Sequence, residues 1–174
     1  MMRRLAAAGL LALAAGCATV PAPGPLPELT AVPAAFEMSG RLSVRQGDRS
    51  EIARLRWSHR PERDVWVIAS PLGNEVARIE SSPQGAVLAR AGAGREEAAS
   101  FASLTERLLG IALEPALLAG WLHGNGRGET PSDWTVKIEE TQAAGAVDIA
   151  RRLSASRGDV AVRLVVDDYR ALPE

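Results

Sequence analysis

The 174-residue chain holds one cysteine, so it can form no internal disulfide, and its two histidines, His59 and His123, stand far apart. Neither histidine has a second histidine, a cysteine or a carboxylate at ligand spacing, which leaves no metal site and no cofactor to propose. No G-x-S-x-G occurs to seat a nucleophile on a sharp turn, and His123, among glycines, reads as a solvated turn residue rather than a base. The glycine-rich Gly124 to Gly128 lacks the Lys-Ser/Thr of a phosphate loop and reads as a flexible connection. Glu139 with Glu140, and Asp167 with Asp168, are neighbours along strands, where adjacent side chains point to opposite faces, so neither couple shares a proton. Enzymatic chemistry therefore has no carrier here. Twenty Lys and Arg against 21 Asp and Glu leave no basic stripe for nucleic acid. No apolar run reaches the roughly 20 residues that span a bilayer as a helix.

What is present begins at the N-terminus. Arg3 and Arg4, an apolar core from Leu5 to Ala15 and small residues at Ala14, Ala15 and Gly16 have the three-part plan of a secretory signal over residues 1–16. Cys17 follows at once, and the junction resembles the lipobox of bacterial lipoproteins, with Ala14 where that motif usually has Leu. The resemblance implies cleavage after Gly16, a diacylglyceryl thioether on Cys17 and acylation of the new amino terminus. By the sorting rule of such proteins, Ala18 in place of Asp directs the chain to the outer membrane, facing the periplasm. An ordinary signal peptide with an incidental cysteine is the other reading. From Cys17 to Ala35, Pro21, Pro23, Pro25, Pro27 and Pro33 favour an extended path of about 3.1 Å per residue, a tether on the order of 50 Å.

Residues 36–174 read as one domain. Phe36, Met38, Gly40, Leu42 and Val44 alternate with polar residues, and Ala53, Leu55 and Trp57 do so beyond a turn at Gln46 to Arg49, which predicts a hairpin. Val65 to Ser70, Val76 to Glu80 and Ala86 to Arg90 extend it to a five-strand antiparallel meander. The period then changes. Phe101, Leu104, Leu108 and Ile111, with Ser100 to cap and Gly110 to stop, predict a helix over Phe101 to Leu109. A second helix starts at Pro115 and carries Leu117, Leu118, Trp121 and Leu122 on one broad face, with Gly124 as its stop. Strands return at Trp134 to Glu139, more weakly between Val147 and Ala155, and at Val160 to Tyr169. The fold class is α+β, an antiparallel sheet whose apolar face is covered by helices. Pattern alone leaves open whether sheet and helices meet in a solid core or enclose a cavity.

The ordered set FEMSGRLSV (36–44), ARLRW (53–57), SPLGNEVARI (70–79), LLAGWLHG (117–124), Trp134 with Val136, and VAVRLVVDDY (160–169) resembles LolB, the outer-membrane lipoprotein receptor family of Gram-negative bacteria. Tyr169 stands where that family often has Trp. The resemblance implies an incomplete antiparallel β-barrel with helices closing one side over an apolar cavity, as in the sister carrier LolA. It further implies a monomer that accepts acylated lipoproteins from LolA and inserts them into outer-membrane lipid, with no cofactor. In the family a leucine protrudes between the third and fourth strands and takes part in delivery to the membrane; the matching residue is Leu72, between Pro71 and Gly73. A leucine tucked back onto the sheet is the alternative. Candidates for the cavity lining are Leu42, Leu55, Trp57, Trp66, Leu104, Leu108, Leu118, Trp121 and Trp134, against plain core packing. A tethered envelope protein with another apolar ligand or a structural role is the competing function.

Overall fold

The computed structural model describes residues 32–124, 128–129 and 133–173. The signal segment, Cys17, most of the tether and the centre of the Gly124 to Gly128 stretch lie outside the described residues. Six strands run in sequence, β1 (Phe36–Gln46), β2 (Arg49–Arg60), β3 (Arg63–Ala69), β4 (Glu75–Ser82), β5 (Gly85–Arg90) and β6 (Arg95–Ala98). Helices α1 (Phe101–Leu109) and α2 (Pro115–Leu122) follow, then β7 (Gly128–Glu129), β8 (Thr135–Ala144), β9 (Val147–Arg157) and β10 (Val160–Ala171). All belong to one antiparallel sheet in the order β6-β5-β4-β3-β2-β1-β10-β9-β8-β7. Among the described residues its edge strands, β6 and β7, do not pair, so the sheet stays open as a half barrel.

Among the described residues the two halves of the sheet are joined by β1 against β10, paired from Phe36 opposite Ala171 to Gln46 opposite Val160 with one register shift between. The alternation that defines these strands also defines the core. Phe36, Met38, Leu42 and Val44 of β1, Leu55 and Trp57 of β2, and Val160, Val162, Leu164 and Val166 of β10 are all buried on the inner side. Ser100 caps α1, its Oγ accepting from the Ser103 N–H at 3.1 Å, and Gly110 ends it in the left-handed conformation at φ 73°. In α2 the buried Leu118, Ala119, Trp121 and Leu122 pack mainly on β9.

Three features depart from the periodic reading. The meander has six strands rather than five before the helices, because β6, Arg-Glu-Glu-Ala, carries no apolar alternation and is a charged edge held by β5 alone. Strand β9 buries Ile149 and Ala150 in succession before Leu153 and Ala155 resume the alternation, and it runs eleven residues. Bulges also interrupt the strict two-residue period. Ser39 faces Asp168 while Gly40 faces Val166, which leaves Asp167 as an extra residue and puts both Asp167 and Asp168 on the exposed side. A second irregularity between Ile138 and Glu140 likewise breaks the expected alternation at Glu139 and Glu140. Each carboxylate there meets arginine: Glu139 pairs with Arg163, and Glu140 with Arg151 and Arg152.

Candidate binding cleft

Between the inner side of β1 to β4 and α1 lies a cleft of about 300 Å³. Leu42, Leu55, Trp66, Ile68, Ile79 and Leu108 supply most of its apolar wall. Its position follows from local sequence. Inward positions of β2 and β4 are small at Ala53 and Ala77, which leaves room that leucines would fill, and α1 rests chiefly on β4 to β6. A larger hollow of about 770 Å³ lies across the outer side of the sheet, bordered by Glu37, Arg56, Arg78, Asp168 and Arg170. An alkyl chain there would lie against guanidinium and carboxylate groups, so the smaller, apolar cleft is the better site for an apolar ligand.

Of the nine residues singled out as lining candidates, Leu42, Leu55, Trp66 and Leu108 border this cleft. Trp57 and Leu104 are buried core, and Leu118, Trp121 and Trp134 belong to a packed group around α2 in which Trp121 and Trp134 meet edge to face at 5.2 Å. Val44, Ile68, Ala77, Ile79 and Ser70 were not singled out, although the inward parity of their strands was the available signal for all but the last. Among the described residues the buried Trp66 Nε1–H, Ser70 Oγ–H and Trp121 Nε1–H have no hydrogen-bond partner, and the first two of these residues border the cleft.

The cleft runs toward the turn joining β3 and β4. There the Gly73 N–H donates to the Ser70 carbonyl at 2.8 Å, and Ser70 N–H to the Asn74 carbonyl at 2.9 Å. Pro71 supplies the fixed φ the turn needs and Gly73 the left-handed φ of 92°, so the sequence holds Leu72 at the tip. Leu72 is 90% exposed, the most exposed large hydrophobic side chain described.

At the other end of the sheet an aromatic group fixes the start of β1. The Phe36 ring lies 4.9 Å from Trp57, 4.9 Å from His59, 5.2 Å from His123 and 5.5 Å from Tyr169. One oxygen of Asp64 accepts from both Trp57 Nε1–H, at 2.7 Å, and His59 Nδ1–H, at 2.8 Å, which ties β2 to β3. Outside it, the Arg170 guanidinium bound to Glu37, with Arg60 beside it, holds that carboxyl below the usual carboxylate range despite some desolvation.

His123 is not the solvated turn residue the flanking glycines suggested. It is fully buried, because α2 ends against β10 and turns the ring inward. A backbone carbonyl only accepts, so Nδ1–H donates to Ala119 at 2.8 Å, and Nε2 must accept from the Tyr169 hydroxyl at 2.8 Å. Both nitrogens are occupied, which leaves no lone pair for base catalysis. Burial pushes the His123 pKa down, and burial pushes Tyr169 up to about 12.

A histidine that is harder to protonate folded than unfolded stabilises above its unfolded pKa of about 6.5, and that stability is lost as pH falls below it. The melting temperature is therefore expected to drop between pH 7 and pH 5, above the range where Glu37 contributes. The double variant His123→Phe with Tyr169→Phe removes both polar partners and is expected to flatten that slope; an unchanged slope contradicts the assignment.

Among the described residues no group of three or more His, Cys, Asp or Glu side chains gathers to hold a metal, and no helix is long and apolar enough to cross a membrane. An open antiparallel sheet wrapped on two helices, with an apolar cleft beside an exposed leucine, defines a binding protein for apolar ligands. The solved structure of a DUF1329 family protein from Desulfovibrio piger shares this fold at 5% identity, with a TM-score of 0.55 over 80% of this chain and 86% of its own. The model of the family described as outer membrane lipoprotein LolB matches residues 34–169, and the chain belongs to that family. Outer-membrane lipoprotein LolB of Azoarcus sp. (strain BH72) is 32% identical over 179 aligned positions, 92% of this chain and 91% of its own. LolB of Thiobacillus denitrificans is 32% identical over 189, spanning 99% of this chain and all of its own.

Proposed function

We propose that this outer-membrane lipoprotein takes acylated lipoproteins from the periplasmic carrier LolA, holds an acyl chain in the cleft under α1, and releases the cargo into outer-membrane lipid at the Leu72 end. The observation that carries this reading is the junction of the two features: Ala69 and Ser70, which lead into the Leu72 turn, border the cleft themselves. A chain leaving the cleft there emerges beside a leucine exposed to whatever it meets. The unpartnered donors of Trp66 and Ser70 suit a ligand bearing ester or amide carbonyls rather than a bare hydrocarbon.

Burial of each methylene contributes about 0.8 kcal/mol, so the cleft needs no cofactor or nucleotide to hold a chain. Handover then follows differential affinity, downhill from a carrier that binds less well and on to a bilayer that binds better. At about 300 Å³ the cleft stands at the low end of small-molecule sites, so cargo with several chains requires α1 to move away from β1 and β2 or leaves chains outside. Cys17 anchors the receptor and residues 17–35 tether it, keeping the domain within reach of lipid. The test is to mix the protein with LolA preloaded with a labelled lipoprotein and to separate the two. Label on the receptor is expected; label remaining on LolA, with the receptor folded, refutes the handover.

A further inference from the structure

Among the described residues four turns project from the Leu72 end of the sheet, and they differ in charge. Gly47–Asp48 and Gly158–Asp159 each carry an aspartate. The β3–β4 tip, Pro71 to Gly73, and the β5–β6 turn, Ala91 to Gly94, carry none, and all seven of their residues are exposed. These two uncharged turns are neighbours, since the Ala91 N–H donates to the carbonyl of Val76 at 3.2 Å. Ile52, Leu72 and Val76, at 65, 90 and 44% exposure, are the exposed large hydrophobics of the described chain, and all three lie at this corner. Single exposed apolar residues are ordinary; three at one corner, around the lip of an apolar cleft, are a patch.

Two arginines flank the patch. Arg54 lies two residues along β2 from Ile52 on the same outward side, and Arg95 follows Gly94 directly. Among the described residues neither forms an ion pair, whereas the nearest acid to the Leu72 turn, Glu75, is held by Arg78 at 2.9 Å. Arg54 stands directly opposite Arg41, a like-charge cross-strand pair that an isolated sheet gains nothing from. Glu51, next to Ile52, is the exposed acid of this corner and borders the cleft on the inner side of the sheet, opposite Val44, whereas Arg54 stands on the outward side.

We propose that this corner is one bilayer-contact edge, in which Ile52 and the Ala91–Gly94 turn enter the lipid interface with Leu72 while Arg54 and Arg95 meet anionic phosphodiester headgroups. The proposal rests on the reading above that cargo leaves at this end. Uncharged tips enter the interface without desolvating an ion, and guanidinium groups behind them reach phosphate oxygens from the water side. A single leucine would pin the domain without orienting it. A second turn fixes the rotation, so that the lip of the cleft faces lipid.

The test uses the full chain reconstituted into vesicles of phosphatidylethanolamine with phosphatidylglycerol. An environment-sensitive fluorophore is placed on Ala93→Cys, Leu72→Cys or Asp48→Cys in separate preparations, with the unsubstituted chain as the blank for Cys17. Emission from positions 72 and 93 is expected to shift to the blue while 48 stays aqueous. The shift at 93 is expected to fall in Arg54→Gln with Arg95→Gln, and on vesicles of phosphatidylcholine alone. Salt near 1 M, where screening acts within about 3 Å, is expected to reduce it too. A shift at 72 but not at 93 overturns the wider edge and leaves the Leu72 reading standing. No shift at either position overturns both. A shift at 93 that needs the carrier protein and no vesicles assigns the edge to a protein partner and refutes the bilayer.

Discussion

Leu72→Glu leaves the fold and cargo acceptance intact and removes delivery to lipid. The side chain is 90% exposed, so its replacement costs the folded state no packing, and a change within about 0.5 kcal/mol is expected. In lipid the balance is different. A buried leucine contributes roughly 1.5–3 kcal/mol, and a carboxylate adds a desolvation cost, so contact with the bilayer weakens by at least ten- to a hundred-fold. Leu72→Ala keeps the turn without the charge and is expected to fall between. The measurement is sedimentation of labelled lipoprotein with vesicles after loading of the receptor. Undiminished delivery by Leu72→Glu would remove this turn from the mechanism.

Gly40→Ala unfolds the protein or destabilises it by more than any surface change. A Cβ built on Gly40 lies inside the Val165 carbonyl oxygen, with the Val165 carbonyl carbon at 3.1 Å and Val166 Cα at 3.2 Å. All three are backbone atoms, so no rotamer change relieves the overlap. They belong to β10 where it bulges against β1, the seam between the two halves of the sheet. Overpacking against movable side chains costs about 1–3 kcal/mol, and this substitution lies at or beyond the top of that range. Gly47→Ala is the comparison. It has φ 55° and nothing within 4 Å of the added carbon, so only the left-handed backbone is penalised, by about 1–2 kcal/mol. Denaturant unfolding compares the two directly, and equal loss would contradict the steric account.

Elements whose burial alternates cleanly were legible in the residues. β1, and β2 from Ala53 to Trp57, have polar and apolar positions in strict succession, and α1 has its cap, apolar spacing and terminal glycine in place. β6 was not legible, since an edge strand of Arg-Glu-Glu-Ala buries too little to impose a period. The bulge at Asp167 was hidden for a related reason, because one extra residue shifts the parity without any residue type that announces it. His123 misled through its neighbours. The glycines around it signal a turn, whereas its burial depends on Tyr169, forty-six residues away, which no local pattern contains.

The cleft was partly legible. Leu42, Leu55 and Trp66 face inward by parity, but so do core residues, and only the small Ala53 and Ala77 decide where space remains. The tryptophans around α2 have the same composition as a cavity wall and pack against one another instead. The Leu72 turn was the more local problem, and proline, leucine and glycine in succession were enough to place a side chain at a tip.

The central claim is that the cleft under α1 holds the acyl chain during handover. Ala77→Trp places an indole in that space from an inward position bordering it, and its melting temperature establishes that it is folded. The deciding measurement is the fraction of labelled lipoprotein that moves from LolA to this variant and to the unsubstituted protein side by side. Transfer to the unsubstituted protein and little to Ala77→Trp is the expected result. Equal transfer to both would place the acyl chain somewhere other than this cleft.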